Sequence, residues 1–294
     1  MGTYDFNYPE LVQTDEDLEK LHYPNALRHF SGTHQWAPAN VMEEALAWFR
    51  LQAMKTGRET RDDSFISMEA AQEIERARSL EQRGNLYFAW KEYRQAAEAF
   101  AGLADISALQ ARSAALGNDK AVRDGAKREK VEFEAQTRMN REISSGLAAL
   151  QDNPMHRAEI RANLEQQIAD LRSRTDHEKR EEKSRVLKRA LAGVMVDAVE
   201  RGLALLDEKK PGEARDYFEL ALIAGPDSTW ALSNAAVARA MDGDRKGAIA
   251  ALRQAKAHSI DPDRLVVWMK DEPAFEKFHG SPDFTALLEV PLQH

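Results

Sequence analysis

Cysteine is absent from all 294 residues, which excludes disulfides, thiol nucleophiles and thiolate metal sites and leaves the redox compartment open. Glycine and proline are scarce, at 15 and 10, too few for the many tight turns an all-β fold requires. No apolar run approaches the length needed to span a bilayer, and the N-terminus lacks a basic stretch followed by an apolar core. A chain that starts at Met1 is therefore expected in the cytoplasm; were Met1 not the true start, export would stay open. Basic charge is not in excess either. Lys and Arg number 41 against 49 Asp and Glu, a formal net charge of −8, which argues against nucleic acid or an anionic membrane as a general partner. What is present is 43% hydrophobic and 31% charged residues, the balance of a helix-rich chain long enough for one or two cores. The predicted class is all-α.

The C-terminal third shows how such helices would be arranged. Between Met195 and Ser228, Gly202, Ala214, Phe218, Ala221 and Pro226 stand at offsets 8, 20, 24, 27 and 32. Between Thr229 and Pro262 the first four of these offsets return as Ala236, Ala248, Leu252 and Ala255. Antiparallel helices pack closely where one sets Gly or Ala against the other's large side chain, so small residues at a fixed period predict stacked helical hairpins. This 34-residue pattern resembles the tetratricopeptide repeat. The resemblance implies helix–turn–helix units stacked on one another, and the work of holding something. Turns are expected at 209–212 and at Gly243-Asp244, with Asp227 capping the helix between them.

An earlier unit is expected at 74–118. With Ala77 as offset 1, Gly84, Tyr87, Ala96 and Phe100 fall at offsets 8, 11, 20 and 24. Tyr87, Phe88, Trp90 and Tyr93 then serve as core and groove surface, in preference to a ligand box. Residues 57–73 read as a polar linker and helix start, with Gly57 stopping the preceding helix and Ser64 a candidate N-cap. Residues 119–190 read as long charged helices, Ala121–Leu150 and Met155–Ala190, folded back at Asn153-Pro154. The second carries Ile160, Leu164, Ile168 and Leu171 as one narrow stripe, suited to pairing within the hairpin or to a homodimer through these long helices. Paired repeats occupy 191–262. Short helices begun by Pro fill 263–294, where Phe275, Phe278, Phe284 and Leu287 would cap the last unit.

Residues 1–56 differ. Thr3–Tyr8 and Ala26–Phe30 read as short strand-like pieces, and a helix from about Val41 to Met54 carries Leu46, Phe49 and Ala53 on one face. Asp5 stands in the first piece, and His34 follows the second in FSGTHQW. This order resembles the C-terminal end of an α/β-hydrolase of the dienelactone hydrolase or esterase kind. The resemblance implies Asp5 as the acidic member of a triad and His34 as its general base, with Gly32 allowing a tight loop. The nucleophile's G-x-S-x-G elbow, which precedes both in that family, occurs nowhere in the chain. Acid and base without a nucleophile do not hydrolyse esters, so the chain as written is not expected to be an enzyme. Three readings stay open: the C-terminal part of a longer hydrolase–repeat fusion, a decayed remnant that caps the helices, or a chance match. Under the first, residues 1–35 are expected to be poorly packed on their own.

In tetratricopeptide proteins offsets 2, 5, 9 and 12 of each first helix line a concave groove. By that resemblance Arg78, Asn85 and Phe88 of the first unit face a peptide, as do Val199 and Leu203 of the second and Trp230, Ser233 and Val237 of the third. A clamp for a peptide's C-terminal carboxylate needs Lys and Asn at offsets 5 and 9, and the last two units lack them. The expected guest is an apolar protein or peptide segment, which could belong to the same, longer polypeptide. The alternative stays open that Val199, Leu203 and Leu206 are buried against the long hairpin. His156 and His177 lie apart on polar helix, so no metal is expected, nor any other cofactor.

Overall fold

Apolar residues recurring at three and four positions set the elements of this chain. The computed structural model describes residues 1–289, and among them every regular element is helical. The chain divides into two units, Met1–Ala135 and the remainder from Gln136.

The first unit holds α1 (Tyr8–Lys20), α2 (Ala39–Lys55), α3 (Asp63–Gln82), α4 (Leu86–Phe100), α5 (Ser107–Gly117) and the first part of α6 (Lys120–Asp152). The strands expected at Thr3–Tyr8 and Ala26–Phe30 do not form. In their place is one parallel bridge, Gly2 to Phe30, in which the Phe30 N–H donates to Met1 O and the Thr3 N–H to Phe30 O, each at 2.9 Å. From Tyr8 the chain is helical instead. Pro9 preorganises the first turn, Glu10 complements the helix dipole there, and Tyr8 and Val12, one turn apart, are buried. Residues 1–35 are thus not loosely packed throughout. Along α2 the buried residues are Leu51 and Met54, while Leu46 and Phe49 stay 66% and 63% exposed; the face picked out by Leu46 and Phe49 is not the one that packs. Asp62, not Ser64, caps α3, its carboxylate accepting from the Phe65 N–H at 3.0 Å. α3 and α4 pair as a hairpin whose contact includes the wholly buried Ala77, Ala89 and Ala96. Gly84 lies in the turn between them, so the register begun at Ala77 does not put it inside a helix, where Gly202 sits.

The second unit takes the rest of α6 and continues through α7 (Arg157–His177), α8 (Glu181–Asp207), α9 (Pro211–Ala224), α10 (Thr229–Met241), α11 (Arg245–His258), α12 (Pro262–Asp271) and α13 (Pro282–Leu288). The long second helix expected over Met155–Ala190 is interrupted. A 3₁₀ turn at Pro154–His156 precedes α7, and the chain breaks again between His177 and Glu181, inside a charged run that carries no breaker. Helix ends at 207 and 241, starts at 211 and 245, and ends at 224 and 258 each recur after thirty-four positions. Gly202 of α8 lies against Phe218 of α9, so near that a Cβ there would come within 2.6 Å of the ring. Ala214, Ala221, Ala236, Ala248 and Ala255 are wholly buried. Leu147 of α6 and Leu164 and Ile168 of α7 join the core that contains Val199 and Phe218, and the Tyr217 hydroxyl donates to Leu147 O at 2.8 Å. Ser228, not Asp227, caps α10, its Oγ accepting from the Ala231 N–H at 3.2 Å. Phe275, Phe278, Phe284 and Leu287 complete the same core at its C-terminal end; positions 290–294 of the expected cap lie outside the described residues.

Lys209 and Gly243 occupy the same place in successive turns, at φ +61° and +85°. Glycine takes this left-handed region freely, whereas a side chain there costs roughly 1 kcal/mol. Lys209→Gly should therefore stabilise the second unit by roughly 1 kcal/mol. Gly202→Val should destabilise it by roughly 2–3 kcal/mol through overpacking against Phe218. Urea unfolding followed by circular dichroism reads both.

Candidate functional site

The loop after Phe30 brings together the two residues singled out for acid and base. His34 Nδ1 lies 3.1 Å and 3.2 Å from the two carboxylate oxygens of Asp5, and the Asn7 N–H donates to Asp5 Oδ1 at 3.0 Å. Asp5 is buried, the His34 side chain is 65% exposed, and the Phe6 ring packs beside the imidazole at 4.9 Å. Gly2 runs so close to this loop that a Cβ on it would collide with the Thr33 carbonyl. A carboxylate so placed accepts Nδ1–H, holds the ring in one tautomer and leaves Nε2 as the base. That is the chemical capacity of the pair: it can take a proton, but the chain carries no G-x-S-x-G elbow to give one.

Beneath this loop Arg28 anchors the segment. Its guanidinium bonds both carboxylate oxygens of Glu73 at 2.7 Å, Glu92 at 2.9 Å and Gln95 Oε1 at 2.8 Å, and lies 3.5 Å from Glu44. Arg76 joins Glu44 at 2.7 Å and Glu73 at 3.0 Å. Burial works against the charge on Arg28, but Glu92, Glu73 and Glu44 outweigh it and raise its pKa. Burial raises the Glu92 carboxyl above the usual range even though Arg28 opposes it. Residues of α2, α3 and α4 thereby hold the Arg28 stretch, and with it the start of the His34 loop.

The residues expected to line a groove are placed unequally. Arg78 and Asn85 are exposed, whereas Phe88 is half-buried and meets His29 edge-on at 5.5 Å. In the second unit Val199 is wholly buried in the core shared with α7, and Leu203 is half-buried. On α10, Trp230 is 41% exposed while Ser233 and Val237 are buried. The Ser233 hydroxyl is buried with no hydrogen-bond partner, a state that costs on the order of 1–3 kcal/mol. No group of three or more His, Asp or Glu side chains among the described residues could hold a metal ion.

Sequence reasoning passed over Glu129 and His29. Glu129 of α6 accepts from the Tyr87 hydroxyl at 2.6 Å, Lys91 at 2.9 Å and the Tyr8 hydroxyl at 3.0 Å. Burial opposes its charge, yet Lys91 and the phenols prevail and keep it below the usual carboxylate range. Burial, then Glu129, raises the Tyr87 phenol. His29 packs between the Tyr8 and Phe88 rings, its Nε2 buried and without a partner. Nothing in its neighbours along the chain signals this, because the groups around it arrive from α1 and α4. Burial first, and then Lys91, lowers its pKa from 6.5 to about 3.

Between these two values the unfolded chain binds the proton that folded His29 refuses, so stability is full above pH 6.5 and falls as pH drops toward 3. The slope is at most about 1.4 kcal/mol per pH unit. Over pH 6.5 to 5, above the range in which ordinary carboxylates titrate, His29→Leu should flatten the dependence relative to the parent chain. Urea midpoints at several pH values test this. No family model matches the sequence, and no curated protein matches it.

Proposed function

We propose that this chain is a non-enzymatic helical-repeat protein of the tetratricopeptide kind, a scaffold that holds another polypeptide. The observation that carries the reading is the thirty-four-position recurrence of helix ends across α8–α11, with Gly202 and buried alanines at the helix contacts. Stacked units of this sort bury a shared core and leave part of each first helix free for a guest. The guest is an apolar protein or peptide segment. Trp230 offers an exposed indole and Leu203 a half-buried apolar surface. A net charge of −8 disfavours nucleic acid. No helix among the described residues is long and apolar enough to cross a membrane. A cytoplasmic location belongs to the same proposal. Selection from a random peptide display library should return apolar sequences, and Trp230→Ala should weaken their binding about tenfold or more. Equal binding by Trp230→Ala, or a consensus ending in acidic residues, would overturn the assignment of this face.

A second reading rests on the 3.1 Å contact between Asp5 and His34. In it the first unit is the acid-and-base end of an esterase-like hydrolase whose nucleophile comes from outside this chain. The purified chain should turn over p-nitrophenyl esters no faster than His34→Ala does. Hydrolysis that depends on His34 would sink the non-enzymatic reading.

A further inference from the structure

The outward face of α2 carries a seam with nothing on it. Ala39, Met42, Leu46, Phe49 and Ala53 follow one another at spacings of three, four, three and four, the a and d positions of two consecutive heptads. Met42, Leu46 and Phe49 are 45%, 66% and 63% exposed, and Trp36, just before the helix, is 90% exposed. The helix is already anchored by its other side, where Leu51 and Met54 are buried and Trp48 packs with Phe100 and Leu103. α2 is therefore apolar on two faces, and only one of them is used within the unit. Large side chains in a continuous exposed row are uncommon on a surface without a partner.

We infer that α2 is a self-association surface, on which α2 of a second copy of this chain lies antiparallel. The flanking charges choose the occupant and its direction. In antiparallel coiled coils the e positions of the two helices flank one another. Here they are Glu43 and Arg50, so each Glu43 faces Arg50 of the other copy, twice by symmetry. In parallel pairing e faces g, and the g positions, Ala45 and Gln52, carry no charge to answer. The core layers match as well. Antiparallel pairing sets Leu46 against Phe49 of the second copy and Met42 against the small Ala53, each layer made twice. Arg50 keeps its own contacts, 2.6 Å to Glu59 and 3.2 Å to Asp62, and its guanidinium lies over the Phe65 ring, yet its side chain stays 40% exposed and open to Glu43 of a second copy. Two heptads bury less than the roughly 1,200 Å² of a standard stable interface, so the dimer forms and dissociates with concentration. The inference stands independently of what the second unit holds.

Sedimentation of the full chain over micromolar to millimolar concentrations tests it. The parent chain should shift from monomer to dimer, and Leu46→Glu should remain monomeric across the same range. At concentrations where the parent chain is monomeric, the variant's thermal unfolding by circular dichroism should not change, because Leu46 is already largely in water. Should Leu46→Glu also lower the melting temperature, Glu43→Arg replaces it: that exposed side chain lies outside the packed face, and its reversal should weaken the dimer about tenfold. Direction is read from a spin label at Asn40→Cys, a unique cysteine in this chain. Labels should lie roughly 25 Å apart in the antiparallel pair and roughly 10 Å apart in a parallel one. A chain that stays monomeric, a dimer that survives both Leu46→Glu and Glu43→Arg, or the short label distance would overturn the inference.

Discussion

Two helices approach only as far as their largest facing side chains permit, and the second unit depends on that limit. Where Gly202 meets Phe218 there is no room for even a methyl group, and the alanines at the corresponding contacts of the following unit are wholly buried. In the same core the Tyr217 hydroxyl donates to Leu147 O, and α7 packs on both α8 and α9. Charge then selects the register. Arg157 pairs with Asp216 at 2.7 Å and Glu213 at 3.2 Å, and Arg161 with Asp216 and with Glu219 at 2.6 Å. Half-exposed pairs of this kind contribute little each, but together they favour one sliding position of α7 along α9.

The first unit is assembled on a different principle. Its N-terminal stretch has too few apolar side chains to bury, and polar groups place it instead. Arg28 among Glu73, Glu92 and Glu44 is a buried network whose desolvation offsets much of its Coulomb attraction. Such a network specifies position more than it adds stability, and loss of one partner would leave the others buried and uncompensated. Glu129 does similar work at a second point, tying Tyr8 of α1 and Tyr87 and Lys91 of α4 to α6. The Asp5–His34 pair is therefore carried on a segment fixed by charge and hydrogen bonds.

Much of the fold was legible because helical periodicity is local. The all-α class, the hairpins of the C-terminal third and the aromatic residues of the last segment all follow from spacing and from small residues at a fixed period. Asp5 and His34, paired by resemblance alone, do stand in contact. Other features left no local trace. Thr3–Tyr8 reads as strand-like, yet Tyr8 begins a helix because it shares a buried face with Val12 one turn on. The break between His177 and Glu181 falls in a run with neither Gly nor Pro. His29 and Glu129 acquire their character from side chains many turns away.

α2 marks the boundary between the two kinds of information. Its sequence alone showed a helix with one apolar stripe through Leu46, Phe49 and Ala53, since that follows from the positions of residues a few steps apart. That a different face, through Leu51 and Met54, is the covered one was decided by Phe100 and Leu103, which arrive from far along the chain to join the same cluster. Burial belongs to whatever comes to lie against a surface, and no stretch of sequence contains its own neighbour.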